Sequence, residues 1–182
     1  MVLLQSSMVP LGSPAPNFDL MGIDGKQHSL ATYADKKVLV VIFMCNHCPY
    51  VQKIWPDLVE LEKRMPEEVQ FVGINSNANP DYPEDSFEKM KEYMKKWDAK
   101  FIYLHDKGQE VAKAYWAVCT PDPFLLVNNG DFILAFHSRI DDKHGSVGSS
   151  EEMYRVVDEL IETGNVTLKE MPSMGCSIKW KD

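Results

Sequence analysis

Hydrophobic positions along this chain fall into two periods, and the alternation between them sets the order of elements. Val38 to Met44 is a continuous apolar run rich in β-branched residues, the pattern of a strand buried on both faces. Val51, Ile54, Trp55, Leu58 and Leu61 then recur at helical spacing up to about Arg64. Pro49 falls in the first turn of that helix, where its missing N–H costs little, and Pro56 falls inside, where it should bend the helix. Val69 to Asn75 reads as a second buried strand. Residues 77–84 form a Pro- and Asn-rich loop, and Asp85 with Glu88 has the spacing of a capping box. Phe87, Met90, Met94 and Trp97 mark one face of the helix that follows.

Phe101 to Leu104 is a short strand, and Val111, Ala112 and Tyr115 sit on a short helix. Asn17–Leu20 and Gln27–Leu30 flank Gly22-Ile23-Asp24-Gly25, and Phe124–Val127 and Phe132–Phe136 flank Asn128-Asn129-Gly130; both read as hairpins. Ser149 with Glu152 is a second capping box. Met153, Val156, Val157, Leu160 and Ile161 follow at helical spacing, and Gly164 is a natural stop. From Asn165 onward the tail reads as irregular. The whole is one α/β domain over 1–182, with a core of about 12–164 and an irregular tail at 165–182. Strands separated by helices call for a parallel sheet core, to which the late hairpin adds antiparallel strands.

Composition narrows the function classes. The formal net charge of -8 argues against nonspecific nucleic-acid binding, which needs a basic face to displace counterions. No window approaches the ~18 apolar residues of a membrane span, and the first twelve residues carry no Lys or Arg, unlike a signal peptide. These features lead to the expectation of a cytoplasmic protein with no nucleic-acid or membrane partner. Four cysteines in 182 residues are too few for a disulfide scaffold, and in a reducing compartment cysteines are redox-active, metal-bound or simply buried.

Two of the four form Cys45-Asn46-His47-Cys48, between the buried strand and the amphipathic helix. Cysteines three apart on a helix share a face and can close a reversible disulfide. Free N–H groups at the helix start should lower the pKa of the first sulfur, Cys45. Asn46 and His47 are placed to tune the pair. Stabilising the thiolate makes a disulfide more oxidising, so a potential above the roughly -270 mV of thioredoxin is expected. A zinc site completed by Cys119 or Cys176 with a histidine is the alternative, although structural zinc pairs usually sit on knuckles or loops. No cofactor is expected. Asp141-Asp142 with His144 reads as an exposed acidic loop.

The run Phe43-Met44-Cys45-Asn46-His47-Cys48-Pro49-Tyr50-Val51 resembles the redoxin branch of the thioredoxin-like superfamily, near the alkyl hydroperoxide reductase/thiol-specific antioxidant family. So do Cys119-Thr120-Pro121-Asp122, Arg139-Ile140-Asp141-Asp142 and the tail from Pro172 to Trp180, giving a likeness over roughly Gly12 to Trp180. The resemblance implies a thioredoxin-like fold, with a central mixed sheet flanked by helices and an N-terminal hairpin. It also implies thiol–disulfide oxidoreductase chemistry. Cys45 matches the solvent-facing attacking cysteine, Cys48 the buried resolving one, and Pro121 the cis-proline opposite them. Thr120 before that proline would offer strand-like hydrogen bonds to an incoming peptide. Partners would be protein or small-molecule thiols and disulfides, with a thioredoxin-reductase-type electron donor.

Departures from the family pattern matter too. Thioredoxin's buried aspartate position is Leu39 here, and the glutamate position of the cytochrome-maturation branch is Val51, so neither family position identifies the group that deprotonates Cys48. A peroxiredoxin-like thiol peroxidase is a further alternative. Its Pro-x-x-x-Thr/Ser-x-x-Cys pattern ending at Cys48 would place Cys45 at the Thr position and Val41 at the Pro position. The only arginines are Arg64, Arg139 and Arg155, none placed by sequence beside the cysteines. Cys119 and Cys176 are candidates for additional redox roles, and a non-catalytic zinc-binding or redox-sensing module is the last alternative.

Overall fold

The computed structural model describes residues 3–140 and 151–181. Ser149 of the second capping box and the Asp141-Asp142-His144 group therefore lie outside the described residues. Strands β1 (Leu3–Gln5), β2 (Asp19–Gly22), β3 (Gln27–Ser29) and β4 (Val38–Phe43) lead into helix α1 (Pro49–Arg64). Next come β5 (Val69–Asn75), α2 (Phe87–Lys96), β6 (Ile102–His105) and α3 (Glu110–Ala114). The chain closes with β7 (Cys119–Thr120), β8 (Asp122–Asn128), β9 (Phe132–His137), α4 (Glu151–Thr163) and β10 (Met174–Ser177).

The main sheet has seven strands in the order β3-β2-β6-β5-β4-β8-β9. β4 runs parallel to β5, and β5 parallel to β6, while β8 and β9 add antiparallel strands beyond β4. This is the thioredoxin-like arrangement, with β4 buried along its whole length as its apolar run requires. Val38, Val40 and Ile42 face α1, α2 and α4, where Ile54, Trp55, Leu58, Met90, Val156 and Leu160 complete one core. Leu39, Val41 and Phe43 face the other way, onto Val111, Ala112 and Tyr115 around α3. Burying such side chains contributes about 1.5–3 kcal/mol each. Trp55 stacks between Phe101 and Trp97, at 5.5 and 6.4 Å, so α1 is held by rings from just before β6 and the end of α2. α1 continues through Pro56, its buried face outweighing the lost hydrogen bond.

Two expectations are corrected. Asp85 does not cap α2: Ser86 holds the N-cap position, and the Asp85 carboxylate turns inward. The tail is not irregular throughout. Its β10 lies between β1 and β7 in a separate three-stranded antiparallel sheet. No described helix is long and apolar enough to cross a membrane.

Candidate active site

The end of β4 delivers Cys45 to the mouth of the sheet, and α1 begins four residues later at Pro49, so Cys48 is the N-cap. The positive end of the helix therefore serves Cys48 and not Cys45, which corrects the expectation that Cys45 is the sulfur favoured as thiolate. Both cysteines are fully buried. Cys45 Sγ lies 3.4 Å from Thr120 Oγ1, and burial, a hydrogen bond with Cys48 and the Asp85 charge push its thiol up. Cys45 is thus not solvent-facing, and Thr120 of β7 lies against its sulfur.

Cys48 is held well below the usual thiol range. The largest cause is its hydrogen bond with Cys176, followed by that with Cys45; burial opposes them, and the Val51 and Cys176 amides add to the lowering. Cys48 Sγ lies 2.8 Å from Cys176 Sγ and 3.3 Å from Thr120 O. Thr120-Pro121 is a cis peptide bond, as the resemblance implied for Pro121. Thr120 does lie against both cysteines, but its strand edge is occupied, because Cys176 of β10 pairs with it.

Asn46 and His47 are organised by a residue that the sequence reading placed elsewhere. Asp85 Oδ1 accepts hydrogen bonds from the backbone amides of Asn46 (2.7 Å) and His47 (3.1 Å). Its Oδ2 binds His47 Nδ1 and accepts a 3.0 Å bond from the Asn77 amide. Asn46 donates to Glu84 O at 2.8 Å and accepts from the Tyr103 hydroxyl at 3.1 Å, while Gln52 donates to Asn46 O at 2.8 Å. The loop between the cysteines is therefore rigidly placed. His47 also packs on Tyr82, with ring centroids 4.8 Å apart.

Among the described residues, Cys45, His47 and Asp85 each bring one donor atom within 4.8 Å of the others. Both Asp85 oxygens already accept two protein donors each, so the trio is held as a hydrogen-bonded arrangement rather than an open ligand set. It is also not the zinc set the sequence offered, which drew on Cys119 or Cys176.

Cys119 is buried, and burial followed by the Asp122 charge pushes its thiol up, which suits a protonated packing residue. Asp122 and His137, both fully buried, are 2.8 Å apart. Burial raises the Asp122 carboxyl, and the His137 hydrogen bond and charge oppose that rise. Nothing in the local sequence signals this pair. The same holds for Asp85, whose partners at the cysteine loop are 38 and 39 residues away.

The sequence profile described as Redoxin matches residues 10–146. Thiol-disulfide oxidoreductase ResA of Bacillus thuringiensis subsp. konkukian (strain 97-27) is 27% identical over 129 residues, 68% of this chain and 67% of that protein. The crystal structure of an uncharacterized conserved protein from Geobacillus kaustophilus superposes with a TM-score of 0.92 at 41% identity, covering 100% of this chain and 97% of that one. The thioredoxin domain of a thiol-disulfide oxidoreductase from Bacteroides vulgatus shares the fold, with a TM-score of 0.64 at 16% identity over 85% of this chain and 99% of that one.

Proposed function

We propose that this chain, which belongs to the Redoxin family and is a thiol–disulfide oxidoreductase, works through a Cys45–Cys48 dithiol/disulfide couple. The observation that carries this reading is the placement of both sulfurs between the end of β4 and the start of α1 and against one residue, Cys45 Sγ 3.4 Å from Thr120 Oγ1 and Cys48 Sγ 3.3 Å from Thr120 O. In the reducing direction the Cys45 thiolate attacks a substrate disulfide. One substrate sulfur leaves as a thiol, and a mixed disulfide forms at Cys45. The Cys48 thiolate then attacks Cys45 Sγ, closing the intramolecular disulfide and releasing the second substrate thiol. The opposite direction runs the same steps in reverse.

The site supports a division of labour. Cys48, its thiol lowered first by Cys176 and Cys45 and then by the Val51 amide at the helix start, is ready to resolve. Asp85 holds Asn46 and His47 so that the two sulfurs keep their spacing. Thr120 and Pro121 receive the substrate strand once β10 withdraws, and Cys119 takes no part in the exchange. A thioredoxin-reductase-type flavoenzyme returns electrons to the couple, and a cytoplasmic location belongs to the same proposal. The test is turnover of a disulfide-bonded peptide by Cys45→Ser, which should be abolished; full activity on the peptide in that variant would overturn the assignment.

One observation favours a second reading. Cys48 is the N-cap of α1 with Cys176 Sγ at 2.8 Å, and that hydrogen bond first of all lowers its thiol, the direction a thiol peroxidase needs in its attacking cysteine. Hydrogen peroxide consumption that survives Cys45→Ser but not Cys48→Ser would select it.

A further inference from the structure

The tail brings a third sulfur to the site. β10 pairs antiparallel with β7, Cys176 opposite Thr120 and Ser177 opposite Cys119, and β1 covers its other edge. This placement does not depend on the thiols. A Cβ on Gly175 would fall 2.0 Å from Thr120 O, so glycine is what lets the strand lie this close. Ile178 N donates to Val118 O at 2.9 Å. Lys179 N donates to Asn77 Oδ1 at 2.8 Å, and the same Asn77 side chain donates to Asp85, so the tail is tied to the group that orders the cysteine loop. Gln109 accepts from Lys181 N and donates to Lys179 O, both at 2.8 Å.

The strand edge beside the active cysteines is where a substrate peptide would add as an extra strand. Here the protein's own β10 holds that edge and presents a cysteine to Cys48 at 2.8 Å, where only a change of oxidation state separates the sulfurs from a bond of about 2.05 Å. Cys45, across the Asn46-His47 loop, brings its sulfur against the same Thr120 that Cys48 touches. Cys48 thus has two partners, in reach from two parts of the chain.

We infer that Cys176 is the third member of the redox centre, exchanging the disulfide with Cys48, and that β10 is a tethered strand occupying the substrate edge. This rests on the Cys45–Cys48 reading and extends it. Starting from the Cys45–Cys48 disulfide, the Cys176 thiolate attacks Cys48 Sγ. The Cys48–Cys176 bond forms as the Cys45–Cys48 bond breaks. Cys45 departs with the electron pair and takes up the proton that Cys176 released, so no external oxidant or reductant enters this step. Cys45 returns to the thiol form, and the oxidising equivalents pass beneath the tail. The Cys48–Cys176 disulfide clamps β10 on β7 and shuts the substrate edge; the other two states leave β10 held by noncovalent contacts alone.

The test uses the whole protein. Reduced wild type is oxidised with one equivalent of oxidised glutathione, quenched in acid, alkylated and mapped by peptide mass. A Cys48–Cys176 peptide should appear alongside the Cys45–Cys48 peptide. In glutathione buffers Cys45→Ser should keep a reversible two-electron couple made of Cys48 and Cys176, and Cys176→Ser should keep the Cys45–Cys48 couple. Absence of the Cys48–Cys176 peptide from oxidised wild type overturns the inference, and so does a Cys45→Ser protein that forms only mixed disulfides with glutathione. Loss of the couple in Cys176→Ser would instead count against the Cys45–Cys48 reading beneath it.

Discussion

Asp85 gives the sharpest mutational prediction, because its carboxylate holds the cysteine loop and also acts on Cys45. Asp85→Ala would strand four donors: the amides of Asn46 and His47, the Asn77 side chain and His47 Nδ1. Hydrogen bonds to a charged group contribute about 1.5–3 kcal/mol each. Shared partners and entering water keep the total below their sum, so the expected loss is about 3–5 kcal/mol. Asp85→Asn keeps an oxygen for the two backbone amides and turns an amide group toward Asn77 and His47, for a loss of about 2 kcal/mol.

The second effect is electrostatic and has the opposite benefit. An Asp85 oxygen lies within 4.8 Å of Cys45 Sγ. Burial and the neighbouring Cys48 lead the causes that push the Cys45 thiol up, and the Asp85 charge adds to them. Removing that charge in Asp85→Asn should therefore lower the Cys45 thiol. Urea unfolding under reducing conditions reads the first effect. The pH profile of alkylation, measured in a Cys48→Ser background so that only Cys45 is followed among the pair, reads the second. An Asp85→Ala protein within about 0.5 kcal/mol of wild type, the range of an ordinary surface substitution, would refute the structural role. An unshifted Cys45 profile in Asp85→Asn would refute the electrostatic one.

Two further outcomes follow from burial of the thiols. Burial leads the causes that push Cys45 and Cys119 up, so the unfolded chain releases those protons first, and their contribution to stability is lost as pH rises above the free-thiol value of about 8.5. Cys48, lowered in the folded protein, acts the other way: its contribution is complete above about 8.5 and is lost as pH falls below it. Unfolding free energies between pH 7 and 10 should therefore pass through a maximum near the free-thiol pKa, and Cys119→Ala should flatten the alkaline limb; a limb of unchanged slope contradicts this. Gly175→Ala should drive β10 off Thr120 and speed alkylation of Cys45 and Cys48, and rates equal to wild type would show that the tail does not cover them.

Much of this architecture was legible because its determinants are local. The apolar run of β4, the helical spacing through Leu61 and the Asn-Gly turn each specify their element without help, and a Cys-x-x-Cys set between strand and helix advertises its chemistry. What escaped depends on distant partners. Met174-Gly-Cys-Ser has neither strand alternation nor a long apolar run, and it becomes a strand because Thr120 and Leu4 supply edges on both sides. Asp85 carries a genuine capping-box spacing, but the cysteine loop offers its carboxylate three donors and Asn77 a fourth, which outweigh a local cap. The helix dipole was assigned to the wrong sulfur for a smaller reason: α1 starts at Pro49, one turn later than the pair itself suggests.

The measurement that tests the central claim most directly is mixed-disulfide trapping by Cys48→Ser. Incubated with a disulfide-bonded peptide and quenched in acid, the variant should accumulate substrate attached at Cys45, identified by peptide mass. Attachment at another cysteine, or no adduct while Cys45→Ser still turns substrate over, would contradict the account.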